Sequence, residues 1–235
     1  MVKRGKNYQE ALSSIEADRT YSPQEALQLA KDSARAKFDE TVELHIRTGA
    51  DPRQADQLVR GVALLPHGLG KEIRVLVFAE GEAIRLATEA GADYVGDDDI
   101  IKNIENGWVD FEVAISTPDL MGKIGRLGRV LGRRGLMPNP RTGTVVQPQD
   151  FTRVIQEAKK GRVEFRLDRT SIIHVPLGKV SFETEQLLEN MNALLEIVIR
   201  ARPSTVKGQF FRTAYVTTTM GPSIKLDVPR MLAMN

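Results

Sequence analysis

Three histidines, an acidic triplet and a glycine-arginine run are the residues of this 235-residue chain whose types invite chemistry. His45, His67 and His174 fall on different predicted elements and share no metal-ligand spacing, so each is expected to bond locally in a strand or turn. Asp97-Asp98-Asp99 could hold a magnesium ion, but at a helix start its expected work is to cap and to complement the dipole. The chain has no cysteine, which excludes disulfides, thiolate metal sites and cysteine nucleophiles. No serine, threonine or lysine nucleophile has a base beside it. Catalytic residues, metals and cofactors are therefore not expected.

Two motifs suggest phosphate chemistry. Gly122-Lys123-Ile124-Gly125-Arg126-Leu127-Gly128-Arg129 has the Ile-Gly-x-x-Gly look of a KH clamp, but it follows a βαβ strand rather than joining two helices of one sheet unit. The alternative is a glycine-rich loop that turns tightly, with its arginines in water. After a predicted strand at 73–78 comes Ala79-Glu80-Gly81-Glu82, one glycine between two carboxylates where a dinucleotide cradle needs three glycines and a bare helix N-terminus. That feature tells against a nucleotide-dependent enzyme.

Charge is nearly balanced, 33 basic against 31 acidic residues for a net charge of +2, yet it is unevenly placed. Residues 121–149 carry Lys123, Arg126, Arg129, Arg133, Arg134 and Arg141 with no acid, and 200–230 carry six basic residues against Asp227 alone. Such stretches fit either phosphate contacts with salt-dependent affinity or a solvated basic face. The salt response separates nucleic-acid binding from a protein-binding scaffold. No apolar run reaches the ~18 residues of a membrane span, and the basic N-terminus lacks the apolar segment of a secretory signal. A cytoplasmic protein without a membrane partner is expected.

The elements that must position these residues divide in three. Ser22-Pro23-Gln24-Glu25 is a capping box opening a helix with Ala26, Leu27 and Ala30 on one face. Alternation predicts strands at 41–48 and 59–65. From 69 to 160 the pattern changes to strand 73–78, a helix with Ala83, Leu86, Ala87 and Ala90, a strand at Tyr94 and Val95, a helix with Ile101 and Ile104, a strand at 109–115 and a helix at 147–160. Alternation then returns in strands around Val163 to Leu167 and Ile173 to Val175, a long helix from Leu187 to Val198, and a strand at 209–219. The expected class is α/β (α+β): a discontinuous two-layer α+β domain of 1–68 and 161–235, with an inserted Rossmann-like βαβ three-layer domain of 69–160. Two adjacent linkers suggest a hinge.

Several strings in order carry a resemblance over nearly the whole chain. They are Lys37-Phe38-Asp39-Glu40-Thr41-Val42-Glu43 with Asp51-Pro52-Arg53, Arg60-Gly61 through Leu65-Pro66-His67-Gly68, Gly91-Ala92-Asp93-Tyr94-Val95-Gly96, Gly135-Leu136-Met137-Pro138-Asn139-Pro140, and Thr217-Thr218-Thr219-Met220-Gly221-Pro222-Ser223. Together they resemble the bacterial form of the large-subunit ribosomal protein L-one family. The resemblance implies a structural constituent of the large ribosomal subunit that binds the stalk region of the largest rRNA near the tRNA exit site. It further implies help in releasing exit-site tRNA and repression of its own operon through mRNA.

The RNA surface so implied consists of Lys37, Phe38, Thr41, Glu43, Arg166, Thr217, Thr219, Met220 and Gly221, the glycine-arginine run being secondary. Phe38 and Met220 would lie against sugars and base edges, the threonines would bond 2′-hydroxyls, Glu43 would accept from a hydroxyl or base amine, and Gly221 would let backbone approach closely. Lys37 and Arg166 would hold phosphates. By residue type alone, Phe38 and Met220 are usually core and Thr217 and Thr219 ordinary strand surface. One departure stands in the run: where the family commonly reads Leu-Gly-Pro-Arg-Gly, this chain has Leu131-Gly132-Arg133-Arg134-Gly135.

Overall fold

The computed structural model describes residues 5–16 and 19–234; the basic residues 1–4 lie outside the described residues. The chain divides into two compact units, Met1–Gly70 with Gly161–Asn235, and Lys71–Lys160.

The first leg of the first unit runs α1 (Lys6–Ser13), α2 (Pro23–Ser33), β1 (Thr41–Thr48) and β2 (Arg60–Leu64). The second unit follows as β3 (Val75–Phe78), α3 (Glu82–Glu89), β4 (Tyr94–Gly96), α4 (Asp98–Glu105), β5 (Val113–Ser116), α5 (Met121–Ile124), α6 (Gly128–Arg134) and α7 (Phe151–Lys159). The chain returns through β6 (Arg162–Arg166), β7 (Ile172–Lys179), α8 (Thr184–Arg200), β8 (Phe211–Thr218), β9 (Ile224–Lys225) and α9 (Val228–Leu232).

In the first unit an antiparallel sheet in the order β7-β1-β8-β9 is joined by a separate β2-β6 ribbon. The helix α2 starts where its capping box requires: the Ser22 hydroxyl accepts from the Glu25 N–H, and the Glu25 carboxylate accepts from the Ser22 N–H. Its Ala26, Leu27 and Ala30 join Leu187, Met191, Leu194, Leu195 and Val198 of α8 in a core against Val42, Leu44 and Ile46 of β1 and Val216 of β8. Burying each large apolar side chain contributes about 1.5–3 kcal/mol, so this face of the sheet is fixed and its register with it. The opposite face, with Thr41, Glu43, His45 and Arg47 on β1, stays outside that core.

Where the chain leaves and re-enters this unit, its two strands press together. A Cβ on Gly161, whose φ is +104°, would lie 2.3 Å from the Gly68 Cα, so only glycine fits there. The buried Asn190 accepts from the His67 N–H and donates to the Gly68 and Leu177 carbonyls, which ties that stretch to α8.

The second unit is a parallel sheet in the order β4-β3-β5 with helices on both faces. On the central β3, Leu76 and Phe78 enter one core with Ile101, Ile104, Ile124, Leu127 and Leu131, while Val75 and Val77 enter another with Ala87, Phe151, Val154 and Ile155. The strand expected at 109–115 begins only at Val113, because the Trp108 ring packs between Tyr94 and Phe111 and draws the preceding residues into the core. The helix expected from 147 opens instead with a 3-10 turn, Pro148–Asp150. Asp97 precedes α4 without a side-chain capping bond, and Asp98 and Asp99 occupy its first turn, where they complement the dipole.

Candidate nucleic-acid interface

Thr41 opens β1, Lys179 ends β7 opposite it, and Val42 faces Thr218 at the end of β8, so three strand ends meet at one corner of the first unit's sheet. Two loops meet there as well: residues 34–40 between α2 and β1, and residues 219–223 after β8. Phe38 and Met220 lie on these loops, 56% and 64% exposed, the two most exposed large apolar side chains among the described residues. Neither fills the core, which excludes the ordinary role of their residue types. Lys37 beside them is exposed and forms no ion pair among the described residues.

The threonines behind them are wired into the protein. The Thr219 hydroxyl accepts from the Thr41 N–H at 3.0 Å and reaches the Thr41 carbonyl at 3.4 Å. Thr217 spends its hydroxyl proton on the Thr218 or Gly221 carbonyl, which leaves its oxygen free to accept. The Thr41 hydroxyl accepts from Lys179 Nζ at 2.9 Å, and its own proton is free to donate. The corner thus offers hydroxyl donors and acceptors of fixed direction, which suits 2′-hydroxyls and sugar edges. Glu43, opposite Thr217 in the ladder, lies 3.6 Å from the His45 Nε2.

At Gly221 a Cβ would meet the Thr218 hydroxyl at 2.3 Å, so the protein's own turn already favours glycine there. Arg166 ends β6 on the separate ribbon, away from the two loops. Leu167 bridges Ile173, some six residues along β7 from Lys179, on the order of 20 Å at strand rise.

At that far end the register sets Arg60 directly opposite Arg166 on the ribbon, both exposed. Like charges facing each other across strands are unfavourable unless an anion lies between or over them. Arg60 is thus a phosphate-holding candidate that sequence reading missed; the antiparallel register of two distant strands was the missing signal.

The same region brings His45 and His174 together, Nδ1 to Nδ1 at 2.8 Å, although no sequence spacing links them. One ring must donate and the other accept. Burial, with His174 alongside, holds His45 below its ordinary pKa against the pull of Glu43. Asp168 fixes the turn between β6 and β7 by accepting from the Thr170 hydroxyl and from the Thr170 and Ile172 N–H groups; these bonds outweigh its partial burial and hold its carboxyl down at about 2.

The glycine-arginine run is helical rather than a tight loop or a KH clamp. Residues 121–134 form α5, a 3-10 turn and α6, because Ile124, Leu127 and Leu131 bury one face completely. Lys123 pairs with Glu80 and Arg126 with Glu105. Arg133, where the family commonly has proline, sits inside α6. Among the described residues no group of three or more His, Asp or Glu side chains is arranged to hold a metal ion, and no helix is long and apolar enough to cross a membrane.

The profile of the Ribosomal protein L1p/L10e family matches residues 29–222. The chain is 57% identical to the large ribosomal subunit protein uL1 of Dehalococcoides mccartyi over 100% of its own length and 99% of that protein. It is 58% identical to the protein of that name from Thermomicrobium roseum, covering 97% and 95% of the two chains, and 55% identical to that of Chloroflexus aggregans, covering 97% of each. A corner of exposed apolar side chains over directed hydroxyls, on a discontinuous α+β unit carrying a parallel-sheet insert, is therefore found in a chain that belongs to the Ribosomal protein L1p/L10e family, ribosomal proteins rather than enzymes.

Proposed function

We propose that the chain is a structural component of the large ribosomal subunit in the bacterial cytoplasm and binds the stalk region of the largest rRNA near the tRNA exit site. Residues 1–68 with 161–235 form the RNA-binding domain in this reading, and 69–160 the inserted domain. One observation carries it: Phe38 and Met220 stand in solvent at one sheet corner, beside the exposed Lys37 and over threonine hydroxyls held in fixed directions. Bare apolar side chains there cost solubility unless sugars and base edges cover them. Arg60 and Arg166 would hold phosphates at the far end, and Glu43 would accept from a hydroxyl or amine between.

The same surface would take an mRNA site shaped like the rRNA site, and so repress the protein's own operon; a second role is to help exit-site tRNA leave. The test is binding of the full chain to a stalk-rRNA transcript over a salt series, beside Phe38→Ala and Met220→Asp. Both variants should lose affinity with unchanged melting. Unchanged affinity in both would sink the assignment. An operon leader transcript should compete with the rRNA, and deacylated tRNA should leave the exit site more slowly from ribosomes that lack the chain.

A further inference from the structure

The loop carrying Lys37 and Phe38 and the turn carrying Met220 lie about 180 residues apart in sequence, and neither has a core of its own. Glu40 lies between them, only 1% exposed. Its Oε1 accepts from the Arg35 N–H at 3.1 Å and the Ala36 N–H at 2.9 Å, while its Oε2 accepts from the Met220 N–H at 2.8 Å. One oxygen therefore serves each loop. Burial pushes this carboxyl up, yet the Met220 and Ala36 amides, the neighbouring Thr218 hydroxyl and the Arg35 amide outweigh it and keep the group below its ordinary value, hence ionised.

A buried negative charge under a surface that attracts a polyanion works against binding by its field. Three convergent N–H donors need an acceptor-only group with two oxygens, and among side chains of this length only glutamate supplies one. The neighbouring contacts do not replace it. Asp39 fastens its loop to the Ser181 N–H and hydroxyl, and Thr41 is held by Thr219, but the Met220 N–H itself goes to Glu40.

We propose that Glu40 is a positioning residue for RNA recognition, its carboxylate locking the Lys37-Phe38 loop and the Met220 turn into one preformed surface. This rests on the RNA-binding reading of that corner. Without the lock the two loops sample other conformations, and RNA must order them on binding, at a cost in affinity. Because the Met220 N–H is occupied by Glu40, Met220 meets RNA through its side chain.

The test uses the full chain, the stalk-rRNA transcript and Glu40→Gln, which keeps the shape but has one acceptor oxygen and so can serve only one loop. Affinity should fall about tenfold. Merely structural damage would also lower affinity, so the deciding measurement is a cycle with Met220→Ala. In the wild-type chain Met220→Ala should cost most of its binding contribution; in the Glu40→Gln background it should cost markedly less, because Met220 is no longer held in place. An equal cost in both backgrounds, or wild-type affinity for Glu40→Gln, overturns the proposal alone. If Met220→Ala is silent in the wild-type chain, the RNA-surface reading falls and the proposal with it. Should Glu40→Gln not fold, amide exchange on the unaltered protein decides. The Arg35, Ala36 and Met220 amides should be protected as strongly as strand amides, and rapid exchange at Met220 overturns the lock.

Discussion

Two regions of this molecule carry basic residues that form no ion pair among the described residues, and they are built in opposite ways. At the corner of the first unit, exposed side chains stand on loops whose every turn is fixed by buried or convergent bonds: Glu40 to three amides, Asp39 to Ser181, Thr219 to Thr41. In the second unit, α5 and α6 present Arg129, Arg133 and Arg134 beside Gly122, Gly125, Gly128 and Gly132, and a Cβ on any of these glycines would meet nothing within 4 Å. The first region is preorganised around shape and hydroxyl direction. The second is a smooth basic helix with nothing to fix a ligand's orientation, which suits charge-driven, sequence-tolerant contact. The difference teaches that local basic density, the most visible sequence signal, does not mark the surface whose side chains the fold holds in fixed directions.

The comparison is broken most directly at Met220. Met220→Asp should weaken binding of the stalk-rRNA transcript roughly ten- to a hundredfold, since it puts a charge where the proposed reading seats sugar and base edges, and should leave melting unchanged. The triple change of Arg129, Arg133 and Arg134 to Ala should cost less than about threefold and flatten the slope of log affinity against log salt. The reverse ranking, measured by filter binding over a salt series, would make the helical run the principal site.

The glycines give the next largest contrast. Gly221→Ala drives a methyl to 2.3 Å from the Thr218 hydroxyl, and the turn must shift; stability should fall by about 1–2 kcal/mol, and RNA affinity with it, because Met220 moves. Gly128→Ala meets open space at an ordinary helical φ, so denaturant melts should show a gain of about 0.5–1 kcal/mol. A loss of RNA affinity in this stabilised variant would show that a nucleic-acid backbone approaches that glycine closely.

What the sequence made legible follows the same division. Period-two alternation in Thr41–Thr48 and the capping box at Ser22 identify their elements, because each reads from neighbours a few residues apart. The helix at 121–134 was hidden by its glycines, whose low propensity outweighs the Ile124, Leu127, Leu131 spacing that in fact decides it. Resemblance supplied the corner residues without their wiring. The roles of Glu40, Gly221 and Arg60 depend on strands brought together from distant parts of the chain, and no local pattern distinguishes a buried glutamate in Asp-Glu-Thr-Val-Glu from an exposed one.

The smallest expected effect concerns the histidine pair and sharpens the comparison at the far end of the sheet. His45 has a folded pKa below the ordinary value of about 6.5, so the unfolded chain binds the proton more readily than the folded one. Stability from this group is full above the unfolded pKa and is lost as pH falls from there through the folded pKa. Urea melts from pH 7.5 down to 5.5 should therefore show a gradual loss that His45→Gln removes. Bound RNA acts in the other direction, since a phosphate near His45 favours its protonated ring and would draw a proton onto it. If the stalk transcript binds with proton uptake near pH 6, and His45→Gln abolishes the uptake, the interface extends from the Met220 corner down the open face of the sheet to Arg60 and Arg166. If binding is proton-neutral, RNA stays clear of the histidines and the two ends engage it separately.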